Sequence, residues 1–474
     1  MVETVFLPSR DYVLNTYKGC LVAMQKNANH LRKNKAGKQY GSDYAWYWQR
    51  SSDNNNWSNG NYVLVLSDLY NKTKSDMKKE QITCTDRHIP LSMYYDAYYS
   101  FRKHCRNTEA QQAFEASYSY NLFNMRRDVV ERHIELGTSY AFVVKKPCPR
   151  EVFAGSIYKR ILDSLCIMIL KPSMDGMFSD RHYNVRKEFG LLQYQQRLQN
   201  DMKEAAEDAV AKEIEEPWVL GGDINSYFMS MDKDVVWGKW NTTIREWYGG
   251  EYMDEILYIM KEIIYYEPEK HCIRLSRDDD WNLIPPHKSL FTNGDGKGMP
   301  IGDFVSQYTA LLLLRDFCFF LEESFGRVGV YMDDWYAIGG HDKLLDLIPL
   351  LRSKLETVKL KLNERKTYLQ PIRHGIKTCG SFVYPNRAYV SNRTVNNAVQ
   401  TMFYYCDHPH SCVTRMCQRM NSYFGILRHF KSYNIRKGLI NIIPAEWWRK
   451  VCVTGHYDKF VAKKYNYLKK KDNE

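Results

Sequence analysis

Two regions with different hydrophobic patterns meet near Trp218. Ahead of it, apolar residues recur at helical spacing after Gln111, at Phe114, Tyr118 and Leu122, which predicts one helix with an apolar face. A run rich in Gln, Glu, Lys and Ala predicts a second, solvent-facing helix. The elements predicted in this region are an irregular polar segment at 1–80 with a loop at 51–62, a strand at 140–144 and helices at 154–170 and 194–216.

Strand-like runs alternate with helical runs after Trp218, which predicts an α+β domain whose sheet is covered by helices on one face. The predicted strands lie at 218–224, 328–331 and 335–338, and near 368 and 389. The predicted helices extend to about 248 and over 253–266, 302–323 and 343–359. Residues 394–474 contain no strand-like run, so we expect an all-helical, basic C-terminal region.

The net charge of +12 adds a class of partner to this picture, because a basic excess of this size favours a polyanion. Tyrosine occurs 36 times, and its ring can stack on unpaired bases. The 12 cysteines include no Cys-x-x-Cys pair, as expected for reduced thiols. There is no signal-peptide pattern, and the apolar run at 310–314 is too short to span a bilayer. We therefore expect a soluble, cytoplasmic protein that binds nucleic acid and no membrane.

Two adjacent aspartates, Asp333 and Asp334, lie between the apolar runs at 328–331 and 335–338. This pattern predicts a β-hairpin with both carboxylates at its tip. Neighbouring carboxylates repel each other, and a bound divalent cation relieves the cost of burying them. A turn capped by solvated aspartates is the alternative interpretation.

A third carboxylate, Asp223, follows the apolar residues Trp218, Val219 and Leu220 of a predicted strand. Beside the hairpin it would complete an oxygen-rich site suited to Mg²⁺. Two such ions about 4 Å apart can activate an attacking hydroxyl and stabilise a leaving pyrophosphate. These residues therefore indicate phosphoryl transfer by positioning and charge neutralisation.

The sequence around these aspartates resembles reverse transcriptases. Tyr-Met-Asp-Asp at 331–334 is similar to the family's Tyr-x-Asp-Asp box, and Asp223 with Phe228 is similar to its first palm motif. The block at 298–307 lies between them, as in the family. The resemblance implies a right-hand polymerase with fingers, a palm with an antiparallel sheet and a helical thumb. It implies that two Mg²⁺ ions, or Mn²⁺, are held by Asp223, Ile224, Asp333 and Asp334.

The same resemblance assigns roles to further residues. It implies that the incoming deoxynucleoside triphosphate contacts Arg150, Arg186, Phe228 (the sugar gate) and Gln307. Lys366 would join the three aspartates in catalysis as a proton donor to pyrophosphate, with Arg365 beside it as the alternative. The residues implied in nucleic-acid binding are Gly302, Ser306, Tyr331, Gly380 at the primer-grip bend, and Arg428 and Arg436 in the basic thumb.

One segment departs from the family pattern. A loop of the kind Arg-Lys-Gly-Lys-Gly is replaced by Arg-Lys-Glu-Phe-Gly at 186–190. Glu188 would repel a phosphate, and Phe189 could stack on a base or block the path. This departure favours a dedicated template or weakly templated synthesis.

Residues 301–307 and 421–436 resemble the bacterial group that contains diversity-generating retroelement polymerases and defence-associated reverse transcriptases. The regions implied are an N-terminal extension with the start of the fingers at 1–139, fingers at 140–217, a palm at 218–393 and a thumb at 394–474. The expected function is RNA-directed DNA synthesis in antiviral defence, and retroelement mutagenesis is the alternative. The expected partners are a cognate non-coding RNA, the cDNA product, deoxynucleoside triphosphates, and an accessory protein or a second copy of the chain.

Three other hypotheses concern this chain. Cys406, His408, His410 and Cys412, together with Cys417, resemble a zinc ligand set, but their spacing matches no common zinc site, so we expect a metal-free thumb loop. DNA synthesis could be primed from a tyrosine hydroxyl, and the candidate tyrosines are Tyr94, Tyr95, Tyr98, Tyr99, Tyr465 and Tyr467. A catalytically inactive RNA-binding scaffold is the last alternative, and the intact aspartate triad argues against it.

Overall fold

A computed structural model describes residues 88–103, 105, 108–146 and 148–463 of the chain. The predictions for residues 1–80 and the priming candidates Tyr465 and Tyr467 lie outside the described residues. Within these residues the fold is mixed α+β, as the alternating patterns predict.

Helices form the start of the described chain and most of its C-terminal region. In chain order they are α1 (Leu91–Arg102), α2 (Glu109–Glu115), α3 (Tyr118–Val130), α4 (Ile157–Met174), α5 (Leu191–Ala211), α6 (Tyr227–Ser230), α7 (Lys233–Trp247), α8 (Met253–Tyr265), α9 (Asp278–Trp281), α10 (Phe304–Leu313), α11 (Arg315–Phe325), α12 (His341–Glu356), α13 (Asn392–Asp407), α14 (Val413–Leu427), α15 (Tyr433–Asn441) and α16 (Ala445–Trp448). The single helix predicted through Gln111 and Leu122 is wrong, because Ser117 leaves the helical conformation at φ −139° and separates α2 from α3.

The strands form four small sheets. In chain order they are β1 (Ser139–Val144), β2 (Arg150–Ala154), β3 (His182–Tyr183), β4 (Trp218–Asp223), β5 (Cys272–Arg274), β6 (Val328–Tyr331), β7 (Asp334–Gly339), β8 (Tyr368–Pro371), β9 (Ile376–Thr378), β10 (Ser381–Tyr384), β11 (Arg387–Val390), β12 (Val451–Thr454) and β13 (Lys459–Ala462). The described sheets have the strand orders β2-β1-β5, β3-β6-β7-β4-β8, β11-β10-β9 and β12-β13. The strand predicted at 140–144 is confirmed, whereas β2 was not predicted because it directly follows a Pro-rich turn.

The five-stranded central sheet is buried on both faces. Alternate residues of a strand point to opposite faces. On one face Val219 and Ile338 pack with residues of α5, and on the other Leu220 and Ala337 join the largest helical core. The prediction that helices cover one face is therefore wrong. The reason is that α5, which precedes the sheet in the chain, returns to cover its second face.

The long apolar helix predicted at 302–323 consists of two helices, α10 and α11. Leu314 interrupts it with φ −96° and ψ 8°. The stretch Phe304–Phe325 is long and apolar enough to cross a membrane, with a mean hydropathy of 1.4 in its most apolar window. However, 67% of that window is buried inside the protein, which is the environment of a core helix.

The C-terminal region has a hydrophobic core of its own, formed by α13–α16 and the β12-β13 hairpin. The all-helical prediction is wrong here, because β12 and β13 form a short antiparallel hairpin that packs on α14 and places Val451 and Phe460 in this core. Asn421 of α14 joins the hairpin through hydrogen bonds to both the N–H and the carbonyl of Phe460. The strands have only four residues each, and such short runs are hard to distinguish from turns among basic residues.

Three buried charged side chains join α4 to the start of α10. The Lys159 ammonium lies 3.1 Å from the Asp163 carboxylate and 2.6 Å from that of Asp303, and all three side chains are at most 5% exposed. Burial, opposed in part by the Lys159 ammonium and supported by the Asp303 carboxylate, raises the pKa of Asp163 to about 7. Two carboxylates thus share one ammonium in a dry environment.

This cluster predicts a pH dependence of stability. The pKa of Asp163 is higher in the folded state than in the unfolded state. Its contribution to the free energy of unfolding is therefore fully present below the unfolded-state pKa near 3.8, and it is lost as the pH rises through the folded-state pKa of about 7. Asp163→Asn cannot ionise, so its free energy of unfolding should fall less than that of the wild type across this range. Chemical denaturation at a series of pH values measures both slopes. Equal slopes would contradict the account.

Candidate active site

The three aspartates of the sequence analysis lie together at one end of the central sheet. β4 ends at Asp223, which pairs with Asp334 at the start of β7. Asp333 lies in the two-residue turn that joins β6 to β7. The Ile224 N–H donates to the carbonyl of Asp333 at 3.1 Å. Backbone pairing therefore fixes the relative positions of the three residues.

The turn between β6 and β7 has an unusual backbone. Met332 occupies its first central position with φ +54°. A two-residue hairpin turn needs a positive φ there to match the twist of its strands, and glycine is the usual residue. A non-glycine residue in this region costs about 1–3 kcal/mol, and such strain clusters at functional sites. The strained residue directly precedes both hairpin aspartates.

Two glycines before Asp223 allow bulky side chains to cross β4. A Cβ atom on Gly222 would lie 2.4 Å from the ring of Trp335, which is fully buried. A Cβ atom on Gly221 would lie 2.3 Å from the Ile376 Cδ1 atom. The two glycines therefore let the end of β4 lie close to Trp335 and Ile376. Asp223 is the next residue of β4 and the first after them to carry a side chain.

The hairpin carboxylates carry uncompensated charge. Burial and, after it, the charges of Asp334 and Asp223 together raise the pKa of Asp333 to about 7. Burial also raises the pKa of Asp334, and hydrogen bonds from Cys379 lower it in part. Lys366 lowers both values as well, but the net shift of each is upward. The site therefore favours an added positive charge.

Asp223 has two side-chain partners from the segment that precedes β8. The Asn363 amide donates to Oδ1 at 3.0 Å, and the Lys366 ammonium donates to Oδ2 at 2.5 Å. Burial alone would lower the pKa of Lys366, but its hydrogen bond to Asp223 and the charges of the three aspartates raise it. Lys366 is thus a charged group at the site. The sequence motif did not identify Asn363.

Asp334 is held from the opposite side by Cys379. The Cys379 thiol donates to Asp334 Oδ2 at 3.1 Å, and the Cys379 N–H donates to the same oxygen at 3.3 Å. Cys379 and Gly380 form the two-residue turn between β9 and β10 with φ +45° and +76°, the conformation of a type I′ turn. The predicted bend at Gly380 thus points the thiol and the N–H of Cys379 at the Asp334 carboxylate. The sequence did not indicate this role of Cys379.

Several other predicted residues lie on elements that adjoin this centre. Phe228 is half-buried in α6, and its carbonyl accepts the Met299 N–H at 2.8 Å. Gly302 has φ +122°, and a Cβ atom there would lie 2.5 Å from the carbonyl of Phe153 in β2. Gln307 is half-buried on α10 and Tyr331 is half-buried at the end of β6. The block at 298–307 therefore bridges the first sheet and the helix after Asp223.

Arg186, Arg436 and Ser306 are buried in the protein instead of facing an open surface. The Arg186 guanidinium donates to the carbonyls of Phe178, Ser179 and His182, and Arg436 pairs with Asp458. Ser306 is 1% exposed. Contact of either arginine with a nucleotide would require these bonds to break. The side chains of Arg150 and Arg428, in contrast, are exposed.

The divergent loop at 186–190 owes its geometry to Arg186. The guanidinium stacks over the ring of Phe189 at 3.9 Å, and the Phe189 N–H donates to the Arg186 carbonyl at 3.2 Å. Glu188 is exposed with φ +70°, where the family pattern has glycine. Phe189 thus packs within its own loop.

The predicted zinc ligands and the priming tyrosines have other surroundings. His408 stacks on Tyr404 at 4.3 Å, and the Cys406 thiol donates to the carbonyl of Ile442. Among the described residues, no three His, Cys, Asp or Glu side chains converge as in a preformed metal site, and this holds also for Asp223, Asp333 and Asp334, where the Asp223 carboxylate is held by Lys366. Tyr94 and Tyr98 are buried in the core, and burial raises the pKa of both, so neither is an exposed nucleophile.

Comparisons with known proteins leave the family of the chain open. No protein-family model and no curated protein matches it. Among solved structures it is similar to a telomerase from Candida albicans in complex with the TWJ fragment of telomeric RNA, with a TM-score of 0.37 and 9% identity. The match covers 65% of this chain and 55% of that one, so the chain spans about half the length of the telomerase. A similarity of this extent does not establish a family.

Proposed function

We propose that this chain is an RNA-directed DNA polymerase with its catalytic centre at Asp223, Asp333 and Asp334. The observation that carries the proposal is the pairing of a strand-terminal aspartate with an adjacent pair in a strained hairpin turn. A solvated, capped turn would not raise the pKa of Asp333 to about 7. The right-hand arrangement of fingers, palm and thumb belongs to the same proposal.

The residues at this centre fit a hard divalent cation. The donors are carboxylate and carbonyl oxygens, the ligands that Mg²⁺ prefers. Mg²⁺ or Mn²⁺ held by Asp223, Ile224, Asp333 and Asp334 would supply the positive charge for phosphoryl transfer. Because Lys366 is bound to Asp223, the Asp223 carboxylate would have to exchange this ammonium for the cation.

The chain's own side chains have separable tasks in this proposal. Lys366 is 57% exposed at its side chain, so its ammonium can leave Asp223 and reach a leaving pyrophosphate, to which it would donate a proton. Asn363 holds the other oxygen of Asp223 in place. Phe228 lies in α6, the first helix after Asp223. Its ring would exclude a 2′-hydroxyl by steric contact and so select deoxynucleotides. Arg150 and Gln307 would contact the triphosphate.

A narrower function belongs to the same proposal: copying a cognate non-coding RNA in antiviral defence. The divergent loop at 186–190 supports it, because Phe189 is used to pack Arg186 and is not free for ordinary template handling. Loss of phage resistance on mutating Asp333 and Asp334 to Ala would support this role. A template-repeat and variable-repeat pair near the gene would instead indicate the diversity-generating alternative.

Primer extension tests the proposed activity. The purified full chain is given labelled deoxynucleotides with an RNA template, a DNA template or its own co-purified RNA, with Mg²⁺ or with EDTA. We expect Mg²⁺-dependent incorporation on RNA. No incorporation on any of the three would overturn the proposal in favour of an RNA-binding scaffold. A product that needs protease for release from the protein would indicate priming from a tyrosine.

Cys379 provides a test of carboxylate positioning. Cys379→Ala removes the thiol donor but keeps the backbone N–H, so we expect incorporation to slow by about 10-fold, the value of one hydrogen bond to a charged group. Cys379→Ser keeps a donor and should recover most of the rate. Cys452→Ala, a half-buried cysteine in β12, is the matched control and should retain full activity. Equal rates for Cys379→Ala and the control would contradict this role.

A further inference from the structure

The three-stranded sheet β9-β10-β11 has one face with no role in the proposed chemistry. Its inner face packs on the centre of the protein: Ile376 and Val383 join the core beside α5, and Gln195 of α5 donates to Ser381 at 2.9 Å. Alternation along the strands directs the neighbouring residues to the outer face. The residues of this outer face are Lys377, Phe382, Tyr384, Arg387 and Tyr389.

The outer face is aromatic and open to solvent. Phe382 is 38% exposed and Tyr389 is 41% exposed, and the two are direct cross-strand partners. The ring of Tyr384 lies 6.1 Å from that of Tyr389. Large aromatic side chains grouped on an exposed sheet face are costly to leave in water, so such a group marks an interaction surface.

Cations are interleaved with these rings. The Lys377 ammonium lies 5.9 Å from the ring centre of Phe382, and Lys377 pairs with Phe382 across β9 and β10. The Arg387 guanidinium lies 4.5 Å from the ring centre of Tyr384. The Arg387 guanidinium also lies 5.9 Å from the ring centre of Tyr389. Each ring therefore has a positive charge beside it, and Phe382 and Tyr389 are both partly exposed to solvent.

The positive charge of the surrounding segment indicates a negatively charged partner. Between Glu364 and Asp407 the sequence contains no Asp or Glu, whereas it contains six Lys and Arg residues. The outer face lies at the middle of this segment. An acidic peptide would match the charge but would not use a row of flat rings, whereas a nucleic-acid strand offers both phosphates and bases.

We propose that the outer face of β9-β10-β11 binds an unpaired nucleic-acid strand, with bases stacked on Phe382 and Tyr389 and phosphates near Lys377 and Arg387. This surface goes beyond the proposed catalytic site: the inner face of the sheet packs on the core beside α5, and the five residues of the outer face lie on the opposite side of the sheet. Paired bases are excluded from such stacking, since their faces are already covered. The surface would hold a single-stranded template tail or a released product strand.

Fluorescence anisotropy tests this binding. The probes are short fluorescein-labelled oligo(U) and oligo(dT) strands. An excess of unlabelled blunt-ended duplex is added to saturate sites that bind phosphates without stacking on bases. With stacking contributing about 1–3 kcal/mol per base, Phe382→Ala/Tyr389→Ala should raise Kd by about 30-fold or more. Tyr120→Ala, an exposed tyrosine on α3, is the matched control and should leave Kd unchanged.

The outcome is independent of catalysis, because the assay needs no incorporation. Phe382 and Tyr389 lie outside the core, so the double variant should stay folded, with a small loss of stability from the missing cross-strand pair. Thermal unfolding verifies the fold of both variants. Photocrosslinking of a 4-thiouridine strand should label the peptide that contains Phe382 or Tyr389. A change in Kd below about 3-fold, or crosslinks only elsewhere, would overturn the proposal. Binding of oligo(U) over oligo(dT) would assign the strand to RNA, and the reverse to DNA.

Discussion

Asp333→Asn is expected to lower the rate of nucleotide incorporation by about 10³-fold or more, because this carboxylate would help to hold the cation that neutralises charge in the transition state. The same variant should unfold at a higher denaturant concentration than the wild type in EDTA near pH 8. The reason is that Asp333 is then ionised beside Asp334 and Asp223, and the raised pKa measures the cost of this charge in the folded state. The two readouts thus move in opposite directions.

A matched exposed residue separates this effect from a loss of acidic charge in general. Asp346 lies exposed on α12, and Asp346→Asn should change neither activity nor stability measurably. Primer extension and urea denaturation of the two variants and the wild type complete the comparison. An Asp333→Asn protein that is inactive and also less stable would show that the residue has a structural role, and an active one would remove Asp333 from the centre.

The second large effect concerns the buried cluster at Lys159. Lys159→Met leaves the carboxylates of Asp163 and Asp303 without their ammonium, and breaking a buried pair in this way costs about 3–5 kcal/mol. Folded domains are stable by only about 5–15 kcal/mol, so we expect a large loss of soluble, folded protein. The free energy of unfolding from denaturant titration measures the loss.

Lys171 is a matched control on the same helix. It pairs with Asp175 at the same i, i+4 spacing as Lys159 with Asp163, but its side chain is 36% exposed. Lys171→Met should therefore cost less than about 1 kcal/mol, as for other surface pairs. If Lys159→Met is too unstable to purify, the triple variant with Asp163→Leu and Asp303→Asn should restore folding. Equal costs for Lys159→Met and Lys171→Met would contradict the account.

The backbone of the candidate centre could be predicted because its signals are local. Apolar runs on either side of Asp333 and Asp334 predict the hairpin, and a strand that ends at Asp223 needs only antiparallel pairing to reach it. The partners of these carboxylates could not be predicted. Asn363 lies 140 residues from Asp223, and Cys379 lies 45 residues from Asp334, so their contacts depend on how distant turns dock.

The exposure of single side chains was the least predictable property. Arg186 was expected at the triphosphate, yet its guanidinium bonds to backbone carbonyls and stacks on Phe189, because the loop folds back on itself. Arg436 was expected on nucleic acid, yet it holds the β12-β13 hairpin through Asp458, and this hairpin was itself not predicted. An arginine in a sequence predicts a hydrogen-bonding or ionic partner. The sequence does not show whether that partner belongs to the same chain or to a bound nucleic acid.

Iron-directed cleavage locates a bound metal ion on the chain. Fe²⁺ in place of Mg²⁺, with ascorbate and peroxide, generates radicals that cut the backbone beside the bound ion. We expect cuts near Asp223 and near Asp333 and Asp334, which Mg²⁺ suppresses by competition and which Asp333→Asn abolishes. Cuts that leave these residues intact, or that fall only near Cys406 and Cys412, would contradict a metal centre at the three aspartates.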